Sequence, residues 1–191
     1  DIALFNKLQF AATTESIISP WIFVTENFFI LFAIATALLL IYTARRTTAI
    51  RFFAIMLHVL LFFSAATLVY QIGFGFDGFV HRTAETILSE QSILEPKTPY
   101  YLGQYMTVGL LHHVTGMSID ILDRWLLPVL LSILIPLSLF WFTTRKKLTK
   151  TLQPILLTLL FPLPLLITTT PQAIALTLLA TIIFLTRGES N

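Results

Sequence analysis

Residues 74–105, FGFDGFVHRTAETILSEQSILEPKTPYYLGQY, decide how the rest of the chain must be read. They form the longest polar interval in an otherwise apolar sequence. Asp77, His81, Arg82, Glu85, Glu90, Glu95 and Lys97 fall within it, and long hydrophobic runs flank it on both sides. An ionised side chain at the centre of a bilayer costs at least about 2.5–3.5 kcal/mol, so a stretch this charged cannot cross hydrocarbon. It belongs at a membrane face, between spans.

Composition supports that placement. Of 191 residues, 56% are hydrophobic and 12% charged, with a mean hydropathy of +0.84. Soluble domains carry about 25% charged residues. The absence of cysteine rules out disulfides, a thiolate nucleophile and thiolate metal sites. A net charge of +2 is too small to suggest nucleic acid as a partner. The expected fold class is all-α, a polytopic integral membrane protein whose partner is the lipid bilayer.

Working outward, five apolar runs read as spans, at 21–43, 52–71, 121–143, 152–168 and 171–186. The first reaches about 33 Å at about 1.5 Å per residue, enough to cross a hydrocarbon core. Ser19 and Pro20 look like its cap and first turn. Pro128, Pro136, Pro154, Pro162 and Pro164 are expected to kink or break spans three and four, because proline removes a donor and clashes with the preceding turn. Residues 1–20 form a lead-in in which Ile2, Phe5, Leu8 and Ala12 could share the face of an interfacial helix. Glu26 and His58, inside apolar runs, read as a headgroup-level carboxylate and a neutral interhelical imidazole. The chain begins with Asp and is expected to be a piece of something longer.

The polar interval extends to a 73–120 loop. Thr98 and Pro99 read as a helix start and Gly116 as its C-cap. His112 and His113, adjacent in sequence, point in different directions and do not suit one metal. Orientation follows from charge. Arg45, Arg46, Arg51, Arg145, Lys146, Lys147, Lys150 and Arg187, eight of twelve basic residues, fall between spans one and two, between three and four, and after five. Short basic loops stay in the cytoplasm. The N-terminus and the 73–120 loop then lie outside; with Glu26 and Asp123 at the outer ends of their spans, that side carries nine of the ten acidic residues.

Within the loop, residues 78–90 have helical spacing. Asp77, His81 and Glu85 recur every four residues and share one face, while Val80, Ala84, Ile87 and Leu88 cover the other. Such a helix would lie flat on the membrane with its carboxylate–imidazole–carboxylate stripe outward. Three readings stay open. Asp77 is an N-cap on a solvated face, or the stripe holds a divalent metal although no fourth ligand is visible, or Asp77 is a catalytic carboxylate.

An Asp early in an external loop, a lying helix, the turn Pro96–Tyr105 (PKTPYYLGQY) and then Gly116–Pro128 (GMSIDILDRWLLP) form an ordered pattern. Over roughly residues 50–143 it resembles the first external loop of GT-C membrane glycosyltransferases, the superfamily of protein O-mannosyltransferases and aminoarabinose transferases. The chain departs from that pattern in having Gly78 after Asp77, and in placing the loop after the second apolar run. The resemblance implies sugar transfer from a polyprenyl-phosphate carrier to an extracytoplasmic acceptor at the cell envelope. It implies Asp77 as catalytic base, with His81 and Glu85 orienting it. Arg82, Lys97, Tyr100, Tyr101, Gln104 and Arg124 would bind substrate, the cations neutralising the leaving phosphate. Cofactors are left open, a divalent metal among them. A transporter or flippase module and a non-catalytic assembly subunit are the competing classes.

Overall fold

The computed structural model describes residues 1–14, 18–44, 48–75, 77–92, 99–147, 152–161, 166 and 169–189. Among them the chain is helical, apart from an isolated bridge between Thr13 and Tyr70. The order is α1 (Ile2–Phe10), α2 (Glu26–Thr43), α3 (Ala49–Phe63), α4 (Ala65–Val69), α5 (Asp77–Gln91), α6 (Leu102–Thr115), α7 (Ile119–Arg145) and α8 (Pro171–Glu189). Short 3₁₀ segments lie at Pro20–Ile22, Pro99–Tyr101 and Gln153–Leu160.

Local chemistry sets several of these boundaries. Thr48 caps α3 by accepting from the Arg51 N–H, and Ser118 caps α7 by accepting from the Ile121 N–H. Gly116 closes α6 in the left-handed conformation, φ 70°, which a residue with a Cβ adopts only with strain.

Three helices are long and apolar enough to cross a membrane: α2, α7 and residues 171–188 of α8. Large apolar side chains cover their outer faces, among them Ile30, Ile34, Leu38 and Ile41 of α2 and Leu178, Leu179 and Ile182 of α8. Such surface suits lipid and would be a liability in water. The central α7 has the most buried face. Leu127, Leu131 and Ile135 pack there in one core with Ile55, Val59 and Phe63 of α3, and with Leu152 and Ile155.

Side-chain contacts order the ends of the bundle. Tyr42 of α2 receives the Arg51 guanidinium 4.4 Å over its ring, and Phe52 meets Phe140 at 5.6 Å. This basic end also holds Arg145. At the opposite end Thr67 of α4 bonds the Arg124 carbonyl, and α5 and α6 lie against the first turns of α7. The Thr169 hydroxyl accepts from the Leu127 N–H at 3.3 Å, whereas a Cβ on Gly188 would sit 3.2 Å from Trp141. Helices α7 and α8 therefore run in the same direction. Lys147 follows α7 at the basic end and Thr169 precedes α8 at the polar one; between them in sequence, Leu152 and Ile155 pack in the bundle core.

Proline explains one of these contacts. Pro128 has no N–H for the Arg124 carbonyl four residues earlier, and Thr67 donates its hydroxyl there at 3.0 Å. Thr67→Val keeps the shape and orphans that carbonyl. It should lower stability by about 1–3 kcal/mol, read by unfolding in mixed micelles. A loss of less than about 0.5 kcal/mol would show that the carbonyl finds another partner.

Several expectations need correction. The second span is α3 followed by α4, broken at Ser64, rather than one helix over 52–71. Span three is a continuous 27-residue helix despite Pro128 and Pro136. In the fourth run, Gln153–Leu160 is 3₁₀ instead of α-helix. At about 2.0 Å per residue those eight residues extend about 16 Å, too short to cross a bilayer by themselves. Pro162 and Pro164 lie outside the described residues. The lead-in does contain a helix, and the last run is longer than expected, to Glu189.

Candidate functional site

The polar interval folds as α5, a helix over Asp77–Gln91 as its spacing implies. Its orientation differs from the expected one. His81 and Glu85 are 2% and 0% exposed, and Ala84 is buried between them, while Asp77 at the helix start is exposed. The stripe therefore turns inward behind its first member. The physical reason is the company it finds. Helices α6 and α7 present polar side chains of their own to that face, so desolvation is offset by hydrogen bonds.

His81 Nδ1 lies 2.8 Å from the Tyr105 hydroxyl, and the edge of its ring meets Tyr101 at 5.1 Å. Gln104 Nε2 donates to Glu85 Oε1 at 2.7 Å and to the Thr169 carbonyl at 3.2 Å. Both partners are acceptors, which fixes the amide orientation. One carboxamide thus ties α5 and α6 to the start of α8. Burial, and then the nearby Asp123 carboxylate, push the Glu85 carboxyl up to about 8, although Gln104 and Arg82 oppose the shift. Burial and the Glu85 charge push the Tyr105 hydroxyl up to about 12, which keeps it a neutral donor.

Beside this network lies an ion cluster. Arg82 binds Asp120 Oδ1 through Nη1 at 2.6 Å and Asp123 Oδ2 through Nε at 3.2 Å. Arg124 Nη2 takes the other Asp120 oxygen at 2.8 Å, and its Nη1 donates to the Gln71 carbonyl at 3.0 Å. Gly73, Gly78, Phe79, Arg82, Asp123 and Arg124 help line a small cavity of about 20 Å³, room for about one water molecule. Gly73, at φ +107°, holds backbone against it, and a Cβ there would lie 3.0 Å from Arg82 Nη2. Four buried polar atoms have no hydrogen-bond partner among the described residues: Glu85 Oε2, Gln104 Oε1, Asp123 Oδ1 and Arg124 Nε.

No family model, curated protein or solved structure matches this chain. The site has to be read from its own chemistry.

Of the residues singled out by sequence, His81, Arg82, Glu85, Tyr101, Gln104 and Arg124 come together where α5, α6 and α7 meet. His81 and Glu85 hydrogen-bond Tyr105 and Gln104 of α6, behind the exposed Asp77. Tyr100 is 91% exposed and stands away from the cluster. Lys97 lies outside the described residues. Among the described residues, no three His, Asp or Glu side chains are arranged to hold a metal ion. Sequence reading missed Asp120, Asp123 and Thr169. The first two had a signal: SIDILDRW sets Asp, Asp and Arg at i, i+3 and i+4, on one face of a helix start. Thr169 had none, since its partners are 42 and 65 residues away.

Proposed function

We propose that this chain is a membrane glycosyltransferase module of the GT-C kind, moving a sugar from a polyprenyl-phosphate carrier to an extracytoplasmic acceptor. The observation that supports it best is an exposed carboxylate, Asp77, opening a helix whose next turn carries Arg82 into a cavity shared with Arg124. In this reading Asp77 accepts the acceptor hydroxyl proton as the oxygen attacks the anomeric carbon. The bond from that carbon to the carrier phosphate breaks, and the phosphate leaves with the electron pair. Arg124 Nε has no partner among the described residues but is buried, so the small cavity has to widen before it can meet the leaving phosphate. Arg82 would have to share its hold on Asp120 and Asp123. The test is release of polyprenyl phosphate by the full-length protein in membranes supplied with polyprenyl-phosphate sugars and an acceptor fraction. Release that depends on acceptor supports the reading. A protein that releases none from any of them is not such a transferase.

A transporter module has one observation in its favour. A 3₁₀ segment lies within the apolar bundle at Gln153–Leu160, and interrupted helices of this sort line substrate paths.

In either reading the bundle makes five passages, the fourth by the partly 3₁₀ return, with α5 and α6 on the outer face of the cell membrane. Single cysteines at Ser89 and Thr149, labelled with an impermeant reagent in intact cells, should react at Ser89 alone. Equal labelling would overturn the topology.

A further inference from the structure

We propose that Glu85, Gln104 and Asp123 form a buried site for one monovalent cation, a proton or a sodium ion, between α5, α6 and α7. The inference goes beyond the transferase reading and does not depend on it. Its first ground is a set of orphaned acceptors. Glu85 is 0%, Asp123 4% and Gln104 6% exposed, and each has one buried oxygen without a donor among the described residues. All three orphans are acceptors, so what completes them must bring positive charge or hydrogen.

They are neighbours. Gln104 bonds Glu85 directly at 2.7 Å. Asp123 is held by Arg82, which lies one turn before Glu85 on the same face of α5.

The second ground is charge. The described charged groups of this face are Glu85, Asp120 and Asp123 against Arg82 and Arg124, three carboxylates and two guanidiniums. With these five ionised and the His81 imidazole neutral, the sum is −1. Leaving an uncompensated charge in a buried cluster is expensive. A water molecule would supply donors but not the missing charge, whereas one proton or one sodium ion supplies it. Two carboxylates and a carboxamide are hard oxygen ligands, which suit sodium and offer nothing to soft metals. The other titratable groups facing Glu85 are His81 on its own helix, Tyr105 on α6 and Tyr101 just before it. All three are retained in a Glu85→Gln variant, so comparison with that variant isolates the carboxyl.

The sign follows from the raised Glu85 value, about 8 against an ordinary 4.5. Its protonated form is favoured in the folded protein. That contribution is complete below about pH 4.5, declines as pH rises through the interval, and is gone above about pH 8. The experiment is thermal unfolding of the full-length protein in detergent, wild type against Glu85→Gln, in sodium chloride or choline chloride at equal ionic strength. In choline, the wild-type midpoint relative to the variant should fall by roughly 5 °C or more between about pH 5 and about pH 9.

If sodium restores the wild-type midpoint at the alkaline end and leaves the variant unchanged, the site takes either ion. If sodium has no effect while the pH dependence holds, the occupant is the proton alone. A wild-type-minus-variant difference that is flat in pH and indifferent to sodium overturns the site. Should Glu85→Gln fail to fold, infrared spectra of the wild type in choline decide. A protonated-carboxyl band at neutral pH that disappears above about pH 8 supports the site, and its absence at neutral pH overturns it.

Discussion

Asp77→Asn should lower sugar transfer by roughly 10²–10⁴-fold while leaving the protein folded and inserted, the usual worth of a general base. Asn matches Asp in size and caps a helix equally well, but it cannot take up a proton. Asp77 is exposed at the first turn of α5. The variant thus separates catalysis from architecture. The same substitution at Glu85 tests something else, since that carboxyl is buried, bonded to Gln104 and protonated near neutrality. Transfer is measured with the full-length protein in membranes and a polyprenyl-phosphate sugar. If Asp77→Asn works at the parental rate, Asp77 is a cap and the assignment fails. Protein that unfolds instead would show that Asp77 is structural.

Arg82→Met should cost about 3–5 kcal/mol of stability, the largest structural loss expected of any single change at this site. The guanidinium is the only described cation bound to Asp123, whose side chain is 5% exposed, and it also holds Asp120. Methionine has a similar apolar stem and no charge, so the loss reports the carboxylate left behind in a poorly solvated place. Asp120 is less affected because it keeps Arg124 and is 45% exposed. Adding Asp123→Leu to Arg82→Met should therefore restore most of the loss, whereas Asp120→Leu should not. Unfolding in mixed micelles of both single variants and the double variant gives the coupling directly. A single variant within about 0.5 kcal/mol of the parent would show that the ion pair contributes nothing net.

Much of the architecture was legible in the amino-acid order because bilayer insertion is governed by local quantities. Runs such as 26–43 and 171–188 are apolar over a span's length, and the polar 77–91 stretch has helical spacing. The capping pair around Thr98–Pro99 and Gly116 marked out most of α6. Each of these depends on neighbours in sequence. The fourth run was misread for the same reason: its composition is as apolar as a span's, yet Gln153–Leu160 winds as 3₁₀. Hydropathy does not register whether an apolar run winds as α or as 3₁₀.

Tertiary structure decided which way the polar helix faces. From its own pattern α5 should bury Val80, Ala84, Ile87 and Leu88 and show its ionisable stripe to water. Yet His81 and Glu85 are buried along with Ala84, because Tyr105 and Gln104 arrive from α6 to receive them. Helical periodicity says which residues share a face. It cannot say whether that face meets water or a partner that makes burial affordable, since that depends on hydrogen bonds to residues 19 and 24 positions away. Thr67 and Thr169 are the same case, ordinary threonines in sequence: one donates to the Arg124 carbonyl that Pro128 leaves without an N–H, and the other accepts from the Leu127 N–H.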